Sequence, residues 1–145
     1  MDFFSSMNVS SSALSAERTR MNLISSNLAN ANATRTPEGG PYKRKDAVFS
    51  ATPVENRFNR ALDGATAKQL RKVDVTDIVE DQNPPRQLYD PSHPDANPQG
   101  YVSMPNVNVV EEMTDMISAT RSYEANVTAV QAAKSMAMKT LEIAK

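Results

Sequence analysis

Residues 3 to about 32 contain no Pro or Gly, and Met7, Leu14, Met21 and Leu28 recur every seven residues. Phe3 and Ile24 fall on the flanking position of the same repeat. Such spacing puts large apolar side chains on one narrow stripe of an amphipathic helix. The stripe is imperfect, because Ser10 and Glu17 occupy places that favour apolar residues.

Residues 109 to about 143 repeat the pattern, again without Pro or Gly. Val109, Met113, Met116, Thr120, Tyr123, Val127, Val130, Ala137, Leu141 and Ala144 fit a second seam, with Lys134 as its weak point. Asn108 followed by Glu111 has capping-box spacing, and Pro105 keeps the helix from starting earlier. At ~1.5 Å per residue the two helices would run ~45 and ~50 Å.

Between them the pattern changes. All nine prolines and all four glycines lie between residues 35 and 106. Thr36 to Pro41 reads as a turn, and Tyr42 to Phe49 as a strand. Val54 to Lys68 has no clear period and reads as a loop. Val73 and Val75 alternate with charged residues and, with Ile78, predict a second strand. Asn83-Pro84-Pro85 breaks the chain; short strands at Leu88-Tyr89 and Tyr101-Val102 flank a turn-rich stretch from Asp90 to Gly100.

The expected architecture is mainly α with a small β insert. Residues 1–34 supply the N-terminal helix, 35–106 a β-rich segment with long loops, and 107–145 the C-terminal helix. The helices form an antiparallel coiled-coil hairpin once the middle loops back, since closure cost grows only logarithmically with loop length. The β unit is expected at one end of this hairpin.

Each helix carries more apolar surface than one neighbour covers. Ala119, Ala125, Ala129, Met136, Met138 and Ile143 lie off the second seam, and Val9, Ala13, Ala16 and Leu23 off the first. A helix that is apolar on several sides wants several neighbours. Contacts with other subunits are the expectation; the competing reading has the β unit folding back to cover these faces. A corollary is that the isolated termini fray and order on assembly.

Composition narrows the function. Apolar residues make up 39% of the chain and aromatics 6%, with no Trp, so a lone monomer has a thin core. A formal net charge of −1 offers no field for nucleic acid or an anionic membrane, and Lys43-Arg44-Lys45 is followed at once by Asp46. The absence of Cys excludes disulfides and thiolate chemistry. No membrane-spanning run or secretory signal is visible, which points to a cytoplasmic protein or to export without a cleaved peptide.

Candidate chemistry is thin. His93 stands near Asp90 and Asp95, but prolines on both sides favour a structural loop. Glu111 and Glu112 point ~100° apart on a helix and cannot flank one bond; capping and dipole compensation explain them better. No nucleotide-binding or hydrolase fingerprint occurs. No catalytic residue, metal or cofactor is expected.

Two stretches carry a family resemblance. Ser12-Ala-Leu-Ser-Ala-Glu-Arg-Thr-Arg-Met-Asn22 followed by Ser25-Ser-Asn-Leu-Ala-Asn-Ala-Asn32 resembles the N-terminal signature of bacterial flagellar rod and hook axial proteins. Pro105-Asn-Val-Asn-Val-Val-Glu-Glu-Met113 and Arg121-Ser-Tyr-Glu-Ala-Asn-Val127 resemble the C-terminal one. With Tyr89 to Ala96 and Gly100-Tyr101-Val102, the chain is similar to the flagellar basal-body rod protein family, on its proximal-rod side. The stretch from Val54 to Lys72 matches no such pattern.

The resemblance implies a non-enzymatic subunit of the tubular drive shaft that crosses the periplasm, transmits torque and encloses the export channel. It implies export by the flagellar type III apparatus without a cleaved signal. Implied partners are copies of itself, other rod proteins, the rod-base adaptor, and export-gate and membrane-ring components, with no nucleic acid and no membrane insertion. Expected intersubunit or coiled-coil contacts are Met7, Leu14, Met21, Ile24, Asn27, Leu28 and Asn30 on the first helix. On the second they are Met113, Met116, Tyr123, Val127, Val130 and Leu141. Asn27, Asn30 and Asn32 also suit capping and turn roles at the end of the first helix. Two other readings compete: a coiled-coil adaptor or chaperone-like oligomer of an export system, and a hydrolase using Asp90, His93 or Glu112.

Overall fold

A computed structural model describes residues 3–53 and 71–143. The reading of residues 54–68 as a loop, and of Ala144 as a seam residue, lies outside the described residues. Helix α1 spans Phe3–Ala29, strands β1 and β2 span Lys45–Pro53 and Arg71–Glu80, β3 and β4 span Arg86–Tyr89 and Tyr101–Met104, and helix α2 spans Val109–Ile143. The strands form two antiparallel pairs, β1 with β2 and β3 with β4. This matches the expected order of two helices around a small β region.

Helix α1 ends through its own side chains. The Asn30 amide donates to Ser26 O at 2.8 Å, and Asn30 N donates to the same carbonyl at 3.0 Å. That satisfies an end-of-helix carbonyl without a left-handed residue. None of the described non-glycine residues has a positive φ. Asn27, Asn30 and Asn32 thus keep ordinary backbone angles, and Asn30 caps through a side-chain bond. At the other end, Asn108 Oδ1 accepts from Val110 N at 3.1 Å and starts α2.

The two helices pack together, with Asn27 meeting Glu112 and Met21 lying against Thr120. Rising positions on α1 thus meet falling positions on α2, so the chain directions oppose. The inward stripe of α2 runs through Glu112, Met116, Ala119, Tyr123, Asn126, Val130, Ala133 and Ala137, all buried or half-buried. Met113 and Thr120, expected on the seam, are exposed; Glu112 and Ala119, one residue earlier, take the inward places. Two small or polar groups sit inward because Ala119 permits close approach and Glu112 joins a polar network described below.

The β1–β2 hairpin does not sit at one end of the helix pair, as expected from sequence. It lies along α1. Lys45 is bound to Asn27, and Val73 N donates to Ser12 Oγ at 3.1 Å. Asn27 and Ser12 are ~22 Å apart along the helix, and the ladder from the Lys45↔Glu80 pair to the Ala51↔Val73 pair covers ~20 Å along β1. A strand rises about twice as far per residue as a helix, so a short hairpin sheathes a long stretch of α1. On α1, Ala16 is buried and Ala13 half-buried, and α2, β1 and β2 all pack against this helix.

The short β3–β4 pair is fixed at its turn. Tyr89 and Tyr101 meet edge to face, with ring centres 5.2 Å apart, over Gly100. Gly100 adopts φ +84°, which an L side chain rarely takes. Val102 behind it is 1% exposed. With Ala16, Ile24, Ala31, Pro105, Val107 and Ala119 it makes up the buried apolar set of the described residues, a small core for a chain this size.

Candidate functional site

Two features stand out: a buried polar knot that ties the elements together, and an open face on α2.

The knot centres on Asn27 and Glu112, each 1% exposed. The last turns of α1 place Asn27 facing the start of β1. Its amide reads the Lys45 backbone on both sides: Nδ2 donates to Lys45 O at 2.9 Å and Oδ1 accepts from Lys45 N at 2.9 Å. This side chain thus pairs with the chain as a neighbouring strand would. Tyr42 OH also donates to Asn27 Oδ1 at 3.0 Å and lies 3.3 Å from Ser26 Oγ.

Glu112, in the first turn of α2, completes it. Its Oε2 accepts from Asn27 Nδ2 at 3.1 Å and its Oε1 from Arg44 Nε at 2.6 Å. Partial burial alone would lower the Arg44 pKa. Hydrogen bonds to Glu112 and Asp46, with the attraction of both carboxylates, outweigh it and hold the value raised. Looser pairs extend the knot outward: Asp115 lies 3.9 Å from both Arg44 and Arg20. A buried carboxylate needs such partners, because an unpaired charge out of water is strongly unfavourable.

Sequence reasoning assigned Glu112 to capping and dipole compensation. The structure instead buries it against Arg44 and Asn27. Arg44 is the middle residue of the Lys43-Arg44-Lys45 cluster, in which the sequence shows no binding role. Neither role is encoded locally, since the partners stand 68 and 85 residues from Glu112.

The residues expected at contacts are spread across the molecule. Ile24 and Asn27 are buried. Leu14, Met21, Leu28, Asn30, Met116, Tyr123, Val127 and Val130 are half-buried, while Met7, Met113 and Leu141 are exposed. Leu141 prolongs the inward stripe of α2 beyond Ala137 yet is 67% exposed. Val110, Met113 and Ile117 near the start of α2, and Met136, Met138 and Ile143 near its end, also face outward. So many large apolar groups exposed on one helix form the kind of surface that interaction sites use.

The hydrolase candidates are otherwise engaged. Both Glu112 oxygens are bonded, Asp90 Oδ1 accepts from Ser92 N and Oγ, and His93 Nδ1 accepts from Asp95 N. These bonds brace a turn, and Thr34 Oγ1 fastens it to the end of α1 through Asp95 at 2.8 Å. Among the described residues no three metal-ligating side chains converge, and no helix is long and apolar enough to cross a membrane.

Known proteins match this sequence over most or all of its length. A flagellar basal-body rod protein FlgC from Borreliella burgdorferi is 44% identical, covering 99% of this chain and 98% of its own. Its counterpart from Bacillus subtilis is 46% identical over the whole of both chains, and one from Escherichia coli is 43% identical over 93% of this chain and 92% of its own. The chain belongs to the flagellar basal-body rod protein family. Within it, the likeness to proteins named FlgC makes it a FlgC-like structural subunit of the rod. The family model described as flagella basal body rod protein matches residues 7–35, and that described as flagellar basal body rod FlgEFG protein C-terminal matches residues 99–143. The Asn27–Glu112 bond joins these two segments of the rod protein directly, while Arg44 belongs to neither.

Proposed function

We propose that this rod subunit polymerises through α1 and α2, which pack as a coiled-coil hairpin and line a tube, with the β region facing outward. The observation that carries this is the set of large apolar side chains left open on α2, from Val110 to Ile143, in a member of a rod-forming family. A helix of this kind buries its second face against neighbours. Met7, Met113 and Leu141 are the natural intersubunit contacts; Ile24, Leu28, Met116, Tyr123 and Val130 hold the hairpin itself together. On this reading 1–34 and 107–145 form one assembling unit and 35–106 an outer one.

The tube encloses the export channel and transmits torque, for which close-packed helices are suited because packed interiors deform little. Copies of this chain, other rod proteins, the adaptor at the rod base and the export gate are its partners. The rod crosses the periplasm, and the subunit reaches it through the flagellar export apparatus without a cleaved signal. The test is to supply the chain to cells lacking their own proximal-rod subunit, then to isolate basal bodies and resolve their subunits by electron microscopy. Density for this chain between the membrane ring and the distal rod is the expected result. A discrete soluble oligomer that never enters basal bodies would favour the adaptor reading instead.

A further inference from the structure

We propose that the Asn27–Glu112–Arg44 knot is a coupling device: α2 docks on α1 only once β1 is seated, so the open helix faces are presented by the fully folded subunit alone. This goes beyond the rod reading and does not depend on it.

The argument starts from what Glu112 demands. It sits 1% exposed between the helices, with an anion to neutralise and two oxygens to satisfy. Among the described residues, neither α1 nor its own helix α2 pairs a cation with it. The guanidinium at 2.6 Å comes from Arg44, at the entrance of β1. Arg44 is positioned in turn by its neighbour Lys45, whose backbone N–H and C=O are both held by the Asn27 amide. Arg44 O also accepts from Asp81 N at 2.8 Å, which ties it to the far end of β2. If β1 leaves α1, Arg44 leaves with it and Glu112 is stranded. A stranded buried charge drives its helix out into water.

The chemistry at 112 is narrow. Arg44 Nε and Asn27 Nδ2 are both donors, so both oxygens must accept. A carboxylate does this. An amide does not: in either flip its NH2 group faces one of the two donors. Glu112→Gln therefore keeps size and shape but breaks the junction. Arg44→Met keeps most of the stem and removes the cation.

Residue-resolved hydrogen exchange on the full chain reads the coupling. In the unaltered protein, amides of β1 and of the first turns of α2 should share one protection level, because they open together. In Glu112→Gln and in Arg44→Met, amides from about 112 to 119 should lose protection about tenfold or more relative to β1, which keeps its pairing with β2 and Asn27. Ile117→Ala, on the open side of α2, should leave the two levels equal.

A purely structural role predicts something else: both elements losing protection by the same factor in the variants, up to complete unfolding. That result overturns the proposal. So does an unaltered chain in which β1 is protected and the start of α2 is not, or in which neither is. Loss of rod assembly with the coupling intact would count against the proposed function and leave this inference standing.

Discussion

The Asn27 side-chain amide pairs with the Lys45 backbone through both its donor and its acceptor, each at 2.9 Å. One residue of α1 thereby acts as the first rung of the β1 ladder. It explains why β1 begins at Lys45, three residues later than the apolar pattern suggests: Tyr42 and Arg44 are drawn into the knot.

Replacing Asn27 should be among the most damaging single changes. Asn27→Ala strands Lys45 N, Lys45 O, Tyr42 OH and one oxygen of Glu112 at a buried position. Even with partial relaxation, a loss of about 3 kcal/mol is expected. Asn27→Asp keeps the shape and the acceptor but sets a second carboxylate against Glu112, and should do no better. Urea unfolding of the two variants checks this; a loss below about 1 kcal/mol for both would mean water replaces the amide.

Gly100 and Gly39 offer a matched comparison. Both have positive φ, +84° and +89°. A Cβ at Gly39 would meet nothing within 4 Å, whereas one at Gly100 would meet Tyr89 Cε2 at 2.8 Å. Gly39→Ala should thus carry only the backbone penalty of about 1 kcal/mol. Gly100→Ala should carry that and the displacement of Tyr89 from Tyr101, about 2–3 kcal/mol together. Thermal unfolding separates the two, and equal shifts would mean the tyrosine edge gives way freely.

Much of the fold is legible because its signals are local. Val73 and Val75 alternate with charges, and β2 follows them; Asn108 and the absence of Pro or Gly define α2 at both ends. The knot is not legible because its partners are far apart in sequence. Heptad counting favoured Met113 and Thr120 for the seam, since size and hydrophobicity were all it could weigh. The choice between adjacent stripes was made by Ala119, small enough for close approach, and by Glu112, held by an arginine from another element. The placement of the hairpin along α1 was hidden for a similar reason. It rests on Ser12 and Asn27, two polar residues that a hydrophobic pattern passes over.

Acid should loosen the β region first. The Asp74 carboxyl lies below its ordinary range because of hydrogen bonds from Thr52 and Lys72, and Asp90 because of those from Ser92. Asp81 is lowered by bonds from Asn83. A carboxylate depressed in the folded state adds stability above its unfolded pKa of about 3.9, lost as pH falls through the folded value. Denaturant midpoints should hold steady from neutrality to about pH 4 and drop below it. Thr52→Val and Ser92→Ala should each flatten that drop; unchanged acid sensitivity in both would point to other groups.

The two ends of the burial scale separate folding from assembly. Val102 is 1% exposed, and Val102→Ala should lower the stability of the isolated chain by about 2 kcal/mol, through lost burial and the cavity left behind. Leu141 and Ile143 are 67% and 86% exposed. Leu141→Ala and Ile143→Ala should therefore change the isolated chain by no more than about 0.5 kcal/mol. If the end of α2 is an assembly surface, these two variants should nonetheless enter isolated basal bodies less than the unaltered chain does. Leu141 is the sharper case, because it continues the inward stripe past Ala137 yet stays open among the described residues. Equal incorporation of both variants would remove the end of α2 from the assembly surface. A stability loss from Leu141→Ala as large as that from Val102→Ala would mean that the residue packs within its own chain.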